Sequence, residues 1–180
     1  VNNECAIDSI SQSWSVISGA APLERQKEAM VNHEKYLEDK ENNLIKLLAP
    51  PFKNSVPFPG YIQGYPEGTR ENGGQYNHAV VWVMKAYTML KDGDKAYEIA
   101  NVLNPIGRSM DVDGMKKYKL EPYVMAGDIY SNPQHFSRGG WSWYTGSAGW
   151  FYQVVIEDFL GFKKYANYFS LNPVIPKDWK

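Results

Sequence analysis

Two short stretches of the chain combine residue types that bind anions and polar rings. The first is Arg70-Glu71-Asn72-Gly73-Gly74-Gln75-Tyr76-Asn77-His78. Glycines let a backbone approach a ligand closely, and the run ends where a strong helical pattern begins. His78 then falls in the first turn of a helix, the end that favours an anion. The second is Trp141-Ser142-Trp143-Tyr144-Thr145-Gly146-Ser147, a Thr-Gly-Ser step in front of another helix. A hydroxyl and free backbone N–H groups there suit a phosphate. Each stretch has a plainer explanation. Glu71 and Asn72 are also ordinary helix-start residues, Thr and Ser are ordinary N-caps, and Trp is often core.

Carboxylates are the third group. Glu71 and Glu121 each stand at the start of an expected helix beside aromatic residues, and paired carboxylates flanking a cleft cleave glycosidic bonds. The competing role for Glu121 is a helix-start acid stabilised by the dipole, and for Asp8 that role is stronger still. Other chemistries lack support. His33, His78 and His135 are scattered, and no Cys/His pair has metal-ligand spacing. There is no G-x-S-x-G, no P-loop and no G-x-G-x-x-G.

Composition narrows the partners. Nineteen Lys and Arg against 20 acids give a net charge of −1, with no electrostatic case for nucleic acid or an anionic membrane. No apolar run reaches the roughly 18 residues of a membrane-spanning helix. The single Cys5 cannot form an internal disulfide. Apolar residues at 43% and charged residues at 22% describe a chain that folds. Aromatic residues, 14% of the chain, point either to a heavily packed core or to a sugar- or peptide-binding surface.

The elements that position these groups read as helical hairpins. Ile7, Ile10, Trp14 and Ile17 predict a helix over about 8–18, and Pro22 opens a second that runs to Leu37. The Glu- and Lys-rich stretch 24–41 reads as a solvated face. Pro50-Pro51 ends any helix after Leu48. Tyr76, Val80, Val83, Tyr87 and Leu90 give the clearest helix, followed by a short one over 95–103. Further helices are expected over 121–130 and 147–160, the last closed by Gly161. Residues 52–74, 104–119 and 132–146 read as irregular, and the tail from Tyr168 to Trp179 as short extended pieces. Loops of that length, rich in Gly and aromatics, are usually functional.

In one order along the chain stand Ile7-Asp-Ser-Ile-Ser-Gln-Ser-Trp14, Gly60-Tyr-Ile-Gln-Gly-Tyr-Pro66, Arg70-Glu-Asn-Gly-Gly74 with His78, Leu103-Asn-Pro-Ile106, Tyr118-Lys-Leu-Glu-Pro-Tyr-Val124 and Gly139-Gly-Trp-Ser-Trp-Tyr-Thr-Gly-Ser-Ala-Gly-Trp150. This combination resembles the C-terminal part of the catalytic domain of glycoside hydrolase family 94. That family includes cellobiose, cellodextrin and chitobiose phosphorylases and the C-terminal region of cyclic β-1,2-glucan synthases. The resemblance implies an all-α fold, a partial (α/α)6 barrel of which residues 1–180 form about the C-terminal half. It implies inverting phosphorolysis of β-linked gluco-oligosaccharides, with inorganic phosphate as co-substrate and no further cofactor or metal.

Carried over by motif, His78, Thr145 and Gly146 match the family's phosphate-binding residues. Glu71 matches a sugar-binding acid and Glu121 the position of a sugar-binding Gln, a departure that leans toward the β-1,2-glucan branch. Trp143 and Tyr144 are placed beside the phosphate motif as walls of the sugar cleft. The family's general acid, an Asp, lies upstream of the Ile-Asp-Ser-Ile-Ser motif and has no counterpart here. The isolated 180 residues are therefore expected to be inactive. Expected partners are a β-linked oligosaccharide and phosphate, with a homodimer or pairing with the other half of the barrel. The expected location is cytoplasmic, or at the cytoplasmic membrane for a glucan synthase. A non-catalytic carbohydrate-binding helical module is the alternative, and a purely structural domain with all its aromatics in the core is a third. A phosphate site requires His78 and Thr145 to lie within roughly 12 Å of each other.

Overall fold

A computed structural model of the chain describes residues 3–179. The fold is all-α, a partial α/α barrel in which helices are joined by long loops and four two-stranded antiparallel ladders. Helix α1 spans Ser9–Ile17 and follows strand β1 (Ile7–Asp8). The Asp8 side chain caps it, accepting from the Ile10 and Ser11 N–H groups, so Asp8 is scaffold. Helix α2 runs Leu23–Leu37 and passes into β2 (Glu38–Asp39), which pairs with β3 (Leu44–Ile45). Strand β4 (Leu48–Ala49) pairs back onto β1. A 3₁₀ turn, Gly60–Gly64, lies in the loop that follows, and β5 (Gln75–Tyr76) leads directly into α3 (Asn77–Met89).

Helix α3 is the centre of the fold. Nine of its 13 residues are buried, so it lacks a solvated face. It packs against α1 through Trp14 and Trp82, whose rings meet edge to face at 5.4 Å. Helix α4 (Gly93–Leu103) covers a second side with Ala96, Ile99, Val102 and Leu103. Helix α6 (Thr145–Gln153) covers a third and continues as a π-helix over Val154–Phe159, contributing Val154 and Phe159 to the same core. Strands β7 (Phe162–Lys164) and β8 (Phe169–Leu171) form a hairpin after it. The tail then docks on α4, where Trp179 meets Tyr97 at 5.0 Å and Lys177 N–H bonds Asp94.

Two expectations fail. Residues 121–130 are not helical; β6 (Asp128–Ile129) pairs with β5 instead. Their backbone groups bond across the fold, Gly127 accepting from Asn77 N–H and donating to the Trp141 carbonyl, so no i→i−4 ladder forms. Conversely, the stretch expected to be irregular contains α5 (Val112–Tyr118), capped by Asp111 at 2.7 Å from Gly114 N. It is seven residues long and carries Gly114, too short and too interrupted for periodicity to reveal.

The acidic face of α2 is only partly solvated. Lys95 of α4, 8% exposed, reaches Glu34, Glu38 and Glu98 at 3.1, 2.7 and 3.0 Å. Burial opposes the Lys95 ammonium, but these carboxylates outweigh it and raise its pKa. Burial likewise works to raise Glu38, yet His33 and Lys95 hold it below its usual range. Behind them the Ser9 hydroxyl sits 3.1 Å from His33 Nε2, and His33 Nδ1 lies 3.5 Å from Glu38. This Ser–His–Glu series has the order of a nucleophilic triad, but Ser9 and His33 are fully buried, so no substrate can reach it. Its role is to tie α1, α2 and α4 together. Lys95→Met strands the Glu38 carboxylate and should cost roughly 3 kcal/mol in urea denaturation. A cost under about 0.5 kcal/mol would class the cluster with ordinary surface pairs.

Candidate functional site: two helix starts around His78

Asn77, the first residue of α3, is fixed by a buried amide relay. Its side chain donates to the Ala126 carbonyl at 2.9 Å and accepts from Gln75 at 2.9 Å, while Gln75 accepts from Ile45 N–H at 3.0 Å. The relay anchors the start of α3 to β3 and to the 124–127 segment. His78, next in line, therefore leaves the helix in one direction. Its ring packs 4.7 Å from Trp82 and 6.2 Å from Trp150, which meet edge to face.

His78 faces the start of α6. A Cβ built on Gly146 would lie 3.8 Å from His78 Cε1 and 3.9 Å from Nδ1. Thr145, one peptide away, is thus well inside the span that a phosphate site requires. Tyr144 precedes the helix and gives it no side-chain cap, so the first-turn N–H groups of Thr145, Gly146 and Ser147 stay open. Thr145 and Gly146 are exposed. Burial pushes the His78 pKa down, favouring the neutral ring. Its Nε2 is buried without a partner, and a buried N–H left unpaired is costly. The proton then belongs on Nδ1, the nitrogen beside Gly146. A histidine donor and helix-start N–H groups around one point would suit an anion.

The sugar candidates flank it. The Tyr76 and Tyr144 hydroxyls meet at 3.0 Å. Burial raises the Tyr76 pKa, and Tyr144 and the charge of Glu71 add to it. The Glu71 loop is fixed by fully buried Asn72, whose side chain bonds the Phe52 and Tyr65 carbonyls and the Phe52 N–H. Glu121 accepts from Trp143 Nε1 at 3.2 Å, and Trp143 packs edge to face on Tyr123. Trp143 holds φ +58°, a conformation that costs a bulky residue about 1 kcal/mol or more. Trp141 is 57% and Trp143 63% exposed on this chain.

Neither Glu71 nor Glu121 begins a helix. Glu71 lies in the turn ahead of β5, and Glu121 lies in the loop after α5. The helix-start explanation for both therefore falls away. Sequence reasoning left out Tyr76, Trp82 and Trp150 from the site. The first was visible inside the quoted 70–78 run and Trp150 closes the quoted 139–150 run, whereas Trp82 carried no signal of its own. Among the described residues no group of three or more His, Cys, Asp or Glu could hold a metal ion. No described helix is long and apolar enough to cross a membrane.

Gly146→Ala separates packing from binding. The added methyl meets His78 at ordinary van der Waals distance, so folding should be unchanged in a thermal melt. It enters the space between His78 and the helix start, and phosphate affinity should fall about tenfold or more, measured by calorimetric titration. Unchanged affinity would remove phosphate from this groove.

Comparison with known proteins identifies the family. Residues 1–161 match the glycosyl hydrolase 94 superfamily, catalytic domain. The chain is 43% identical over 178 residues to the cyclic β-(1,2)-glucan synthase NdvB of Rhizobium meliloti (strain 1021), covering 99% of this chain and 6% of that one. It is 31% identical over 170 residues to the N,N'-diacetylchitobiose phosphorylase of Vibrio proteolyticus, covering 94% and 21%. It is 28% identical over 172 residues to the solabiose phosphorylase of Paenibacillus borealis, covering 94% and 22%. The chain thus spans about a fifth or less of these relatives. It belongs to the glycosyl hydrolase 94 superfamily.

Proposed function

We propose that this family 94 chain forms the C-terminal half of an (α/α)6 barrel that phosphorolyses β-linked gluco-oligosaccharides with inversion, the β-1,2-linked ones above all. The observation that carries the reading is the meeting of His78 with the start of α6. Phosphate would be held by His78 Nδ1–H, the Thr145 hydroxyl and the open N–H groups of Thr145 and Gly146. Glu71, Glu121, Trp143 and Tyr144 would line the sugar cleft. The preference for β-1,2 linkages rests on Glu121 and on the similarity to a cyclic β-(1,2)-glucan synthase.

The chemistry suits such a site. One phosphate oxygen attacks the anomeric carbon as the glycosidic C–O bond breaks, and an acid delivers a proton to the departing oxygen. The products are a sugar 1-phosphate and a shortened sugar. An inverting hydrolase needs a carboxylate base to activate water. Phosphate is already an anion, so it needs positioning and charge stabilisation, which helix-start donors provide without reorganisation. Neither carboxylate is assigned as the acid: Glu121 is engaged by Trp143, and Glu71 matches a sugar-binding acid of the family. The acid would come from another part of the barrel, and this 180-residue chain alone would not turn over.

The test is release of glucose 1-phosphate from β-1,2-gluco-oligosaccharides and phosphate by the complete gene product. Activity that requires phosphate supports the reading, whereas sugar binding without phosphorolysis would favour a carbohydrate-binding module. The pH dependence gives a second check. Burial depresses the free His78 pKa below the ordinary value near 6.5, and a bound anion raises it. Binding therefore takes up protons between the two values. The phosphate KM should rise as pH climbs past the free value, and His78→Gln should remove that rise. A profile unchanged in the variant would exclude His78 as the phosphate donor.

A further inference from the structure

Arg108, in the loop after α4, is a largely buried cation that forms no ion pair with a carboxylate among the described residues. Its hydrogen bonds leave from Nη2, which donates to the Asn43 carbonyl at 2.7 Å, to the Val102 carbonyl at 2.9 Å and to Gln75 Oε1 at 3.4 Å. Its Nε is buried with no partner, and so is the neighbouring Ser109 hydroxyl. Burial pushes the Arg108 pKa down to about 10, with no carboxylate opposing it. A buried charge is ordinarily paired, because neutral carbonyls replace only part of the hydration it loses.

Arg108 lines a cavity of about 190 Å³ together with Asn43, Lys117, Tyr118 and Ser137. Pockets that take drug-sized ligands measure roughly 300–1,000 Å³, so this one suits a small ion and not an oligosaccharide. None of its lining residues is acidic, and two are cations. Asp111, the first acid after Arg108 in the chain, is engaged as the cap of α5. The amide of Asn43 and the hydroxyls of Tyr118 and Ser137 can donate to oxygen atoms. None of the residues assigned above to phosphate or to the sugar lines this cavity.

We infer that this cavity is a second anion site, which takes a phosphate group between Arg108 and Lys117. Two positive side chains match the roughly −2 charge of that group, and a guanidinium presents its donors in the geometry of phosphate oxygens. Free phosphate and the phosphate of a sugar 1-phosphate offer the same chemistry. Arg108 and Asn77 meet the two ends of the buried Gln75 amide, so the anion would neutralise a charge that borders the start of α3. The inference does not depend on phosphorolysis at His78.

The experiment uses the complete gene product with inorganic phosphate and, separately, glucose 1-phosphate. Crystals soaked in each should show a phosphate group beside Arg108 and Lys117, whatever occupies the groove at His78. Calorimetric titration of His78→Gln should still detect phosphate. Adding Lys117→Glu, a change at an exposed residue, should weaken that binding about tenfold or more, and Arg108→Met should do the same. Lys117→Arg should keep the affinity. If Arg108→Met does not fold, the two Lys117 variants decide. Binding of inorganic phosphate alone assigns the site to the free ion, and binding of both probes assigns it to any phosphate group that can enter. An empty cavity with both probes, density without binding in solution, or an affinity unmoved by Lys117→Glu overturns the site. Phosphate at His78 alone overturns it and leaves phosphorolysis standing, whereas phosphate at Arg108 alone supports it and counts against the earlier reading.

Discussion

Enclosure of α3 is the constraint from which the site follows. A helix buried along most of its surface must be covered by neighbours on several sides, and α1, α4 and α6 supply them. Packing α6 against α3 while both start at the same end sets two helix N-termini side by side. His78 fills the gap between them, and its contacts with Trp82 and Trp150 belong at once to the core and to the groove. The proposed anion site would thus be a by-product of core packing, shaped by one histidine and by the lack of a side chain at Gly146. Shifting α6 along α3 would dissolve the site without altering any of its residues.

Much of this was legible in the sequence. The helices around α1, α2, α3 and α4 follow from apolar spacing, and both helix-start motifs can be read directly. The resemblance brought His78 and Thr145-Gly146 together before any geometry did. What stayed hidden depended on long-range backbone pairing. Residues 121–130 are expected to be helical, yet their N–H and C=O groups bond Asn77, Trp141 and β5. Asp128 lies in that stretch, so its contact with Arg70 across 58 positions could not be seen. The burial of Glu38 by Lys95 was hidden likewise, because a charge run looks solvated until a partner helix arrives.

The two ends of the groove differ in chemistry. Around His78 the donors converge, and burial lowers its pKa and so favours the neutral imidazole. Away from it the surface is aromatic and exposed, with Trp143 and Arg70 both held at positive φ by fixed contacts. Fixed rings and fixed amides lose little entropy on binding, which suits a site that works by positioning. An acid from elsewhere in the barrel would complete the set, since phosphate supplies its own nucleophile.

The central claim is that His78 and the start of α6 hold phosphate together. A crystal structure of the complete gene product soaked in phosphate addresses it most directly. The account predicts a phosphate whose oxygens lie about 3 Å from His78 Nδ1 and from the N–H groups at Thr145 and Gly146. A phosphate bound elsewhere, with this groove empty, would contradict it.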